Sequence, residues 1–518
     1  MSQVIRVAVL CALLAPVVAS AQLRVVTYNT LDKPFDSTDL ALARTVFEAI
    51  ATTPRNGIAK RPDVIGLQEQ RTIAAGVSTA SQLADALNDL FGVSSYQVAI
   101  SGSGNDLIAA VYDSASVSLE ANVNVFTTGP RPTRRLEFQP VGYTSSDATF
   151  YNYVSHLKAG SAAADRNLRA EEAERLRNNA DALGAGVNIV YSGDFNIYSN
   201  NESTYLNLTA SGNGEAFDPL ALLSWPSAAN AQHLTQSTRT TSIGDGGATG
   251  GNDDRFDLQL VTSSLLDGEG LSYIGPTSTG MSGLEHSYQA FGNDGVSYNQ
   301  RINNTFVGRS QPAAVLNALH DFSDHLPVIA DYQLPAVLGY ALDEIPLTLE
   351  QGEEFALGLT VTNDADVVAA VGADELDFSI STSGSITGAF AGVAAALSAG
   401  LSYDLSLDTS TLGLRSGMLT ISSLSQAAEN SLVQVPISFE VIAAALAGDY
   451  NNDGRVDAAD YTVWRDGNSP DDTQAGYDVW AANYGASIPQ STSVPEPTSV
   501  LMMLALLVGS AGRTARVA

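Results

Sequence analysis

Five stretches between residues 22 and 335 end apolar runs in side chains able to bind a cation, a phosphate or a proton. Val26-Thr27-Tyr28-Asn29 closes on an amide, a neutral oxygen ligand. Pro62-Asp63-Val64-Ile65-Gly66-Leu67-Gln68-Glu69 closes on a carboxylate. A carboxylate at the edge of a buried strand needs a partner, and Mg²⁺ is a natural one. Tyr153-Val154-Ser155-His156 delivers an imidazole that can donate to a phosphate oxygen or protonate a leaving group. In Tyr191-Ser192-Gly193-Asp194-Phe195-Asn196 the glycine allows a tight turn. That turn presents Asp194 to orient a water and Asn196 to hold a phosphate oxygen. The fifth stretch comes in two pieces, Asp254-Arg255-Phe256-Asp257 and Ser323-Asp324-His325-Leu326-Pro327-Val328. A carboxylate paired with His325 fixes the imidazole tautomer and stabilises its charged form. Spacing leaves open whether Asp254 or Asp257 is that carboxylate. Together these residue types suit hydrolysis of a phosphate ester. An anionic ester repels hydroxide, a metal ion neutralises charge, and fixed donors stabilise the charge that develops.

Alternating strand-like and helix-like patterns supply the frame. Leu23–Tyr28, Asp63–Gln68, Thr149–Ser155, Asn188–Ser192 and Phe256–Val261 read as strands. Asp39–Thr52, Ser81–Phe91 and Ala163–Leu183 carry apolar residues at helical spacing, and Gly184 is placed to stop the third helix. Such alternation predicts a layered α/β unit with a buried sheet over 22–335. Over 336–445 the period changes to two, as in Phe355, Leu357, Leu359 and Val361, and again in Val433, Val435, Ile437, Phe439 and Val441. That pattern predicts an antiparallel β-sandwich serving as a spacer or binding domain.

The chain has 518 residues, too many for one core. It carries 56 Asp and Glu against 25 Lys and Arg, and only 5 of those bases lie beyond residue 335. Such acidity argues against nonspecific adhesion to nucleic acid while leaving room for a local phosphate site. Residues 1–21 read as a secretory signal: Arg6, the apolar run Val7–Val18, then Ala19-Ser20-Ala21. The single cysteine, Cys11, falls inside it, so the mature chain is expected to have neither disulfides nor thiolate metal sites.

The pieces TYN, DVIGLQE, SHL, GDFN, RFD and SDHLPV, in that order, resemble the endonuclease/exonuclease/phosphatase superfamily, the fold of pancreatic deoxyribonuclease. The resemblance covers about residues 22–335. It implies a four-layer α/β sandwich, two facing β-sheets flanked by helices. It implies Glu69, with Asn29 and Asp324, around a Mg²⁺ or Mn²⁺ ion. It implies Asp194 orienting the attacking water, Asn196 holding the phosphate, and His325, paired with Asp257, binding or deprotonating at the reacting centre. His156 would contact phosphate or assist the leaving oxygen. Some members carry an Asp where this chain has Leu31, which weighs against a second metal. Arg134, Arg135 and Lys158 are candidate contacts to substrate phosphates. The expected activity is a secreted, metal-dependent phosphodiesterase, foremost a nuclease, acting as a monomer. A phospholipid-headgroup phosphodiesterase, a phosphomonoesterase and a catalytically idle surface or matrix protein are the alternatives. The joint presence of Glu69, Asp194, Asn196, Asp324 and His325 argues against idleness.

Residues 446–485 repeat a short motif, Asp460-Tyr461-Thr462-Val463-Trp464 recurring as Gly476-Tyr477-Asp478-Val479-Trp480. This predicts two similar helices packed on each other. Asp449, Asn451, Asp453, Arg455, Asp457 and Asp460 fall at the spacing of a Ca²⁺ loop, with Gly454 at its sixth position. The stretch resembles a dockerin repeat, with its second half lacking ligands because Arg465 stands where a first Asp would be. A linker over 486–493 leads to residues 494–518: Val494-Pro495-Glu496-Pro497, a short apolar run and Arg513 and Arg516. These resemble a PEP-CTERM sorting signal, which implies an exosortase-type partner and delivery to the cell surface or matrix.

Overall fold

The computed structural model describes residues 22–487, apart from 101, 126–128, 223, 224 and 226. The expected secretory and sorting signals lie outside the described residues. Mixed sheets and helices make up residues 22–335. The strands used below are β1 (Leu23–Asn29), β2 (Val64–Gln70), β3 (Tyr96–Ile100), β4 (Leu107–Asp113), β5 (Val117–Val125) and β6 (Thr133–Pro140). They continue as β7 (Phe150–His156), β8 (Asn188–Asp194), β9 (Asp257–Val261), β10 (Ser272–Tyr273), β11 (Gln289–Ala290) and β12 (Val328–Gln333). One seven-stranded sheet runs β10-β12-β1-β2-β4-β3, with β11 also on β12, and a five-stranded sheet runs β9-β8-β7-β6-β5.

Alternation along each strand decides what it packs against. Val26 and Tyr28 of β1 and Ile65 and Leu67 of β2 join one core with α1 (Ser37–Thr52), α2 (Thr79–Phe91) and α5 (Ala313–Phe322), through Phe47, Leu83, Leu319 and Phe322. Their neighbours Val25 and Val64 face the other way and join Phe138, Phe150, Val154, Val190 and Val261 of the five-stranded sheet. That sheet turns Tyr153, Ile189, Tyr191 and Leu258 outward onto Ala173, Leu176 and Ala180 of α3 (Ala163–Asp181). The short helix α4 (Ser203–Leu208) adds Leu208 to the same cluster. Local chemistry sets the helix ends. Asp36 and Asp39 form a capping box on α1, Ser78 and Ser81 one on α2, and Gly92 ends α2 in a left-handed conformation.

Gly66 governs how near the sheets come. A Cβ there would stand 3.0 Å from Val154 Cγ2, so the bare backbone lets β2 lie close over β7. The strands that carry Glu69 and His156 are thereby brought face to face.

Over residues 336–445 strands predominate. Leu338–Leu342, Ala356–Asn363, Leu401–Leu407 and Ile386–Thr387 form one sheet in that spatial order. Thr348–Glu350, Leu432–Ile442, Gly413–Ser423, Leu376–Gly384 and Phe390–Ala394 form a second. Leu359, Val361, Leu405, Phe378, Ile421 and Phe439 share the core between them. One expectation is corrected. Thr348–Glu350 pairs parallel with Leu432–Ile442, so the sheets are not antiparallel throughout. The first strand of this sheet meets the last one across the whole segment, a crossover that period-two patterning does not encode.

Residues 458–483 hold two helices, α6 (Ala458–Arg465) and α7 (Gln474–Asn483). The repeated aromatics pack across the pair: ring centroids of Tyr461 and Trp480 lie 5.0 Å apart, those of Trp464 and Tyr477 5.1 Å. Among the described residues no helix is long and apolar enough to cross a membrane.

The contact between the α/β part and the β-rich part is acidic. A cavity of about 500 Å³ there is lined by Asp267, Glu269 and Glu375 among others. Asp374, 3 % exposed, accepts a hydrogen bond from Gly270 N–H at 2.9 Å across the contact. Burial pushes its carboxyl up to about 7; the Gly270 bond opposes that, and Glu269, Glu375 and Asp377 reinforce it. The carboxyl thus keeps its proton in the folded chain where the unfolded chain has lost it. Its contribution to stability is full below about pH 4 and falls away as pH rises to about 7. Asp374→Asn is therefore expected to stabilise the protein at pH 8, on the order of 2–4 kcal/mol, and to do nothing favourable at pH 4. Thermal unfolding of both proteins at the two pH values measures this; equal shifts at both would contradict it.

Candidate active site

The site forms where β1, β2, β7, β8 and β9 end together. β1 and β2 are parallel, with Asn29 beside Gln68, and β7 and β8 are parallel, with His156 beside Asp194. β9 is antiparallel to β8 and sets Asp257 beside Asp194.

Local irregularities aim the side chains. The pairing of β2 with β4 slips between Leu67 and Gln70, and Glu69 within the slip adopts φ 60°. Such a bulge re-aims one side chain at a sheet edge. Leu31 and Asn196 are also left-handed, φ 65° and 52°, so three non-glycine residues in this unfavourable region flank the cluster. Gly193 answers a different constraint. Its φ is 139°, and a Cβ would lie 2.0 Å from Ser155 O on the neighbouring strand. Gly193→Ala is expected to destabilise the protein by more than about 2 kcal/mol, as strain and collision combine. A urea denaturation midpoint equal to wild type would refute that.

Asp194 is central and 2 % exposed. Its Oδ1 accepts from Asn196 N–H at 3.0 Å, which leaves Oδ2 facing the cleft. Oδ2 accepts from Asn29 Nδ2 at 3.2 Å and lies 3.4 Å from His156 Nε2 and 3.7 Å from His325 Nε2. Asn29 Nδ2 also donates to Glu69 Oε1 at 2.9 Å, while Glu69 Oε2 accepts from Asp32 N–H. One amide thus joins two carboxylates. Among the described residues neither carboxylate pairs with a Lys or Arg.

Each imidazole has a carboxylate behind it. His325 Nδ1 stands 2.7 Å from Asp257 Oδ2, and both residues are buried. Burial pulls the His325 pKa down, but Asp257 and Asp194 outweigh it and hold it well above the ordinary value. Burial pushes the Asp257 carboxyl up against the pull of His325. Asp257, Asp194 and Asp324 thus all favour the charged form of this one imidazole. Asp254 is not the partner. Its backbone bonds Gln236, and burial together with the charge of Asp253 pushes its carboxyl up to about 6.

His156 Nδ1 lies 3.4 Å from Asp106 Oδ1, which Arg131 Nε holds at 2.7 Å. Burial opposes charge on Asp106, yet His156 and Arg131 keep its carboxyl below the usual range. Asp106 is a residue that sequence reasoning missed. It sits in the turn before β4, with no motif around it.

Among the described residues Asp324 makes no hydrogen bond to Asn29 or Glu69; it stands beside His325, both of them reached by the Gln236 carboxamide. Asp324 Oδ2 accepts from Ala248 N–H at 2.7 Å and from Gln236 Nε2 at 3.3 Å. Arg134 donates to Asn124 on the adjacent strand, and Arg135 donates to Asn179 and lies over the Tyr151 ring. Lys158 pairs with Asp165 at 2.9 Å. These contacts brace β5–β7 and α3, and none of these partners belongs to the cluster. Asn196 Nδ2 donates to Leu157 O at 3.3 Å, at the cluster's edge. Among the described residues no group of three or more His, Cys, Asp or Glu stands at metal-ligand spacing.

In the C-terminal loop, Asp449 Oδ2 accepts from Gly454 N–H at 2.8 Å and Asn451 Oδ1 from Asp453 N–H at 2.9 Å. Asp453 Oδ1 accepts from Arg455 N–H, and Asp457 caps α6. Buried Asp460 bonds the amides of Tyr450, Asn451 and Asp457.

No protein-family model matches the chain, and no curated protein matches it. Several solved structures are similar over about three-fifths of it. The human Nocturnin catalytic domain with bound sulfate is 16 % identical, covering 61 % of this chain and 96 % of that one, with a TM-score of 0.37. TDP2 of D. rerio, complexed with a single-strand DNA product, is 14 % identical over 61 % of this chain and 100 % of that one, TM-score 0.37. A beta toxin from Staphylococcus aureus is 14 % identical over 60 % and 99 %, TM-score 0.34.

Proposed function

We propose that residues 22–335 form a four-layer endonuclease/exonuclease/phosphatase-type domain that hydrolyses phosphodiester bonds, foremost in extracellular nucleic acid. One observation carries this reading: the Asp194 carboxylate lies between two imidazoles, 3.4 Å and 3.7 Å away, each backed by its own carboxylate. Asp194 orients a water, with Oδ1 already held by Asn196 N–H. Protonated His325 holds a phosphate oxygen, and Asp257 keeps its ring in place. His156 sits opposite to protonate the departing oxygen. The Asn196 amide supplies a further donor to the phosphate.

The donor set fits a hard cation. Glu69 and Asp194 are two carboxylates on one amide, with no basic side chain paired to either among the described residues. Glu69 would hold Mg²⁺ or Mn²⁺, which would supply charge neutralisation at a non-bridging phosphate oxygen, while Asn29, its Oδ1 accepting from Leu31 N–H at 3.1 Å, keeps Glu69 and Asp194 together through Nδ2. In the C-terminal module, the side-chain oxygens of Asp449, Asn451 and Asp453 converge on one tight loop and suit Ca²⁺. We read residues 336–445 as a spacer or binding domain, 446–485 as a dockerin-like module, and the two ends of the chain as signals for export and surface sorting.

The test is a panel of plasmid DNA, RNA, sphingomyelin and bis(p-nitrophenyl) phosphate, each with and without EDTA. DNA or RNA cleavage abolished by EDTA is expected. Activity indifferent to EDTA would remove the metal, and cleavage of lipid alone would move the substrate to a phospholipid headgroup.

A further inference from the structure

Among the described residues, the bases beside the cluster each hold a carboxylate. Arg71, two residues past Glu69, pairs with Asp32 at 2.9 Å, and Lys33 pairs with Asp39 at 2.8 Å. Lys158, two residues past His156, pairs with Asp165 at 2.9 Å. Arg131, which reaches His156 O, pairs with Asp106 at 2.7 Å. Arg239 grips both oxygens of Asp245, at 2.6 and 2.7 Å, and Arg255, two residues before Asp257, pairs with Asp218 at 2.6 Å. We infer that the cleft takes short oligonucleotides, one phosphodiester at a time, and draws no affinity from the charge of a long strand. The inference rests on the phosphodiesterase reading and adds to it the substrate length that the site prefers.

The pairs belong to the walls of the site. Asp32 N–H donates to Glu69 Oε2 at 2.8 Å, so the Arg71–Asp32 pair stands beside the carboxylate of the proposed cation site. A Cβ on Gly247 would lie 2.7 Å from Arg239 Nη1 and 3.1 Å from Asp324 Cβ, which sets the Arg239–Asp245 pair against the neighbour of His325. These bases are also poorly placed to swing out. Arg239 and Arg255 are fully buried, and the Arg255 guanidinium carbon lies 4.9 Å and 5.3 Å from the Trp225 and Tyr288 ring centres. Lys33 and Arg131 are mostly buried, and only Arg71 and Lys158 are a quarter to a third exposed.

A long strand is held chiefly by unpaired bases that neutralise phosphates and release counterions. Here each base would first have to leave its carboxylate, and that carboxylate would then face the incoming phosphate. One ion pair replaces another, and a repulsion is added. A single phosphodiester escapes this, because the proposed cation and His325 meet that phosphate alone. Its neighbours along a strand would meet Asp32, Asp106, Asp165 and Asp245, each already neutralised by its own base. Arg301 is the exception. It is exposed on the loop whose Ile302 N–H donates to Thr238 O, has no carboxylate partner among the described residues, and supplies one further contact.

The experiment uses the full chain and two variants, Asp165→Asn and Asp32→Asn, which release Lys158 and Arg71. Substrates are a thymidine dinucleotide and a fluorescent thymidine strand of about 30 residues, followed from about 50 to about 300 mM NaCl, the range over which counterion release is read. Hydrolysis is measured as kcat/KM per phosphodiester bond, binding of the long strand by anisotropy, and folding by thermal midpoints. For the wild type, the two substrates are expected within about threefold of each other per bond. The logarithmic salt slope for the long strand should be no steeper than about −1, where six phosphate contacts to a single strand would give about −4. Each variant should steepen that slope by about 0.7 and raise kcat/KM for the long strand severalfold at low salt. Asp165→Asn should leave the dinucleotide rate within about twofold of wild type. A wild-type preference for the long strand of more than about tenfold per bond, or a slope near −4, overturns the inference. An unchanged slope in both folded variants overturns it too, since the pairs would then withhold nothing. If the wild type hydrolyses neither substrate, the phosphodiesterase reading fails, and the salt slope of binding still decides the inference: tight, steeply salt-dependent binding overturns it, and weak or flat binding upholds it.

Discussion

Glu69→Ala and His325→Ala are each expected to lower phosphodiester hydrolysis by on the order of 10³-fold or more. Glu69 shares the Asn29 amide with Asp194, so its removal takes away a carboxylate of the proposed cation site and loosens the partner that orients water. His325 faces Asp194 at 3.7 Å, and among the described residues the other imidazole paired with Asp194, His156, is held by Asp106 instead. The two variants should differ in their response to metal. Excess Mn²⁺ is expected to recover part of the Glu69→Ala loss and none of the His325→Ala loss. Steady-state rates on bis(p-nitrophenyl) phosphate, with folding checked by circular dichroism, measure both. Retention of more than a tenth of wild-type activity by either variant would sink the proposed mechanism.

A comparison of two nearby carboxylates carries the second large effect. Asp257→Asn is expected to cost about 10²- to 10⁴-fold in kcat, because the amide can present its NH₂ to His325 Nδ1 and invert the tautomer. Asp254→Asn should cost less than about fivefold, since its backbone, not its carboxylate, bonds Gln236. Equal effects of the two substitutions would show that the Asp257–His325 pair does not organise the site.

That comparison also shows where sequence reasoning stops. Asp254 and Asp257 are equally plausible by spacing. Only register separates them, because β9 places Asp257 directly opposite Asp194. The frame itself was legible. The strands ending in Asn29, Glu69, His156 and Asp194, and the helices between them, follow from apolar periodicity, and their ends from capping and turn residues. What was illegible depends on contacts between segments distant in sequence. Asp106 meets His156 across 50 residues, and Gln236 meets His325 across 89, with no local pattern to announce either. For Arg134, Arg135 and Lys158 the sequence shows the charge but not the partners Asn124, Asn179 and Asp165. The bulge that turns Glu69 likewise arises from pairing with β4, outside the motif that contains it.

The passage from the last strand of the α/β part into the β-rich part leaves almost no slack. Leu334 N–H donates to Gly372 O and Asp374 N–H to Leu334 O, while Leu338 N–H donates to Glu429 O and Glu429 N–H to Ala336 O. The join acts as a stiff bracket, so the cleft keeps a constant bearing relative to the β-rich part. The stretch 443–448, which carries neither helix nor strand, joins this bracket to the C-terminal loop and helices.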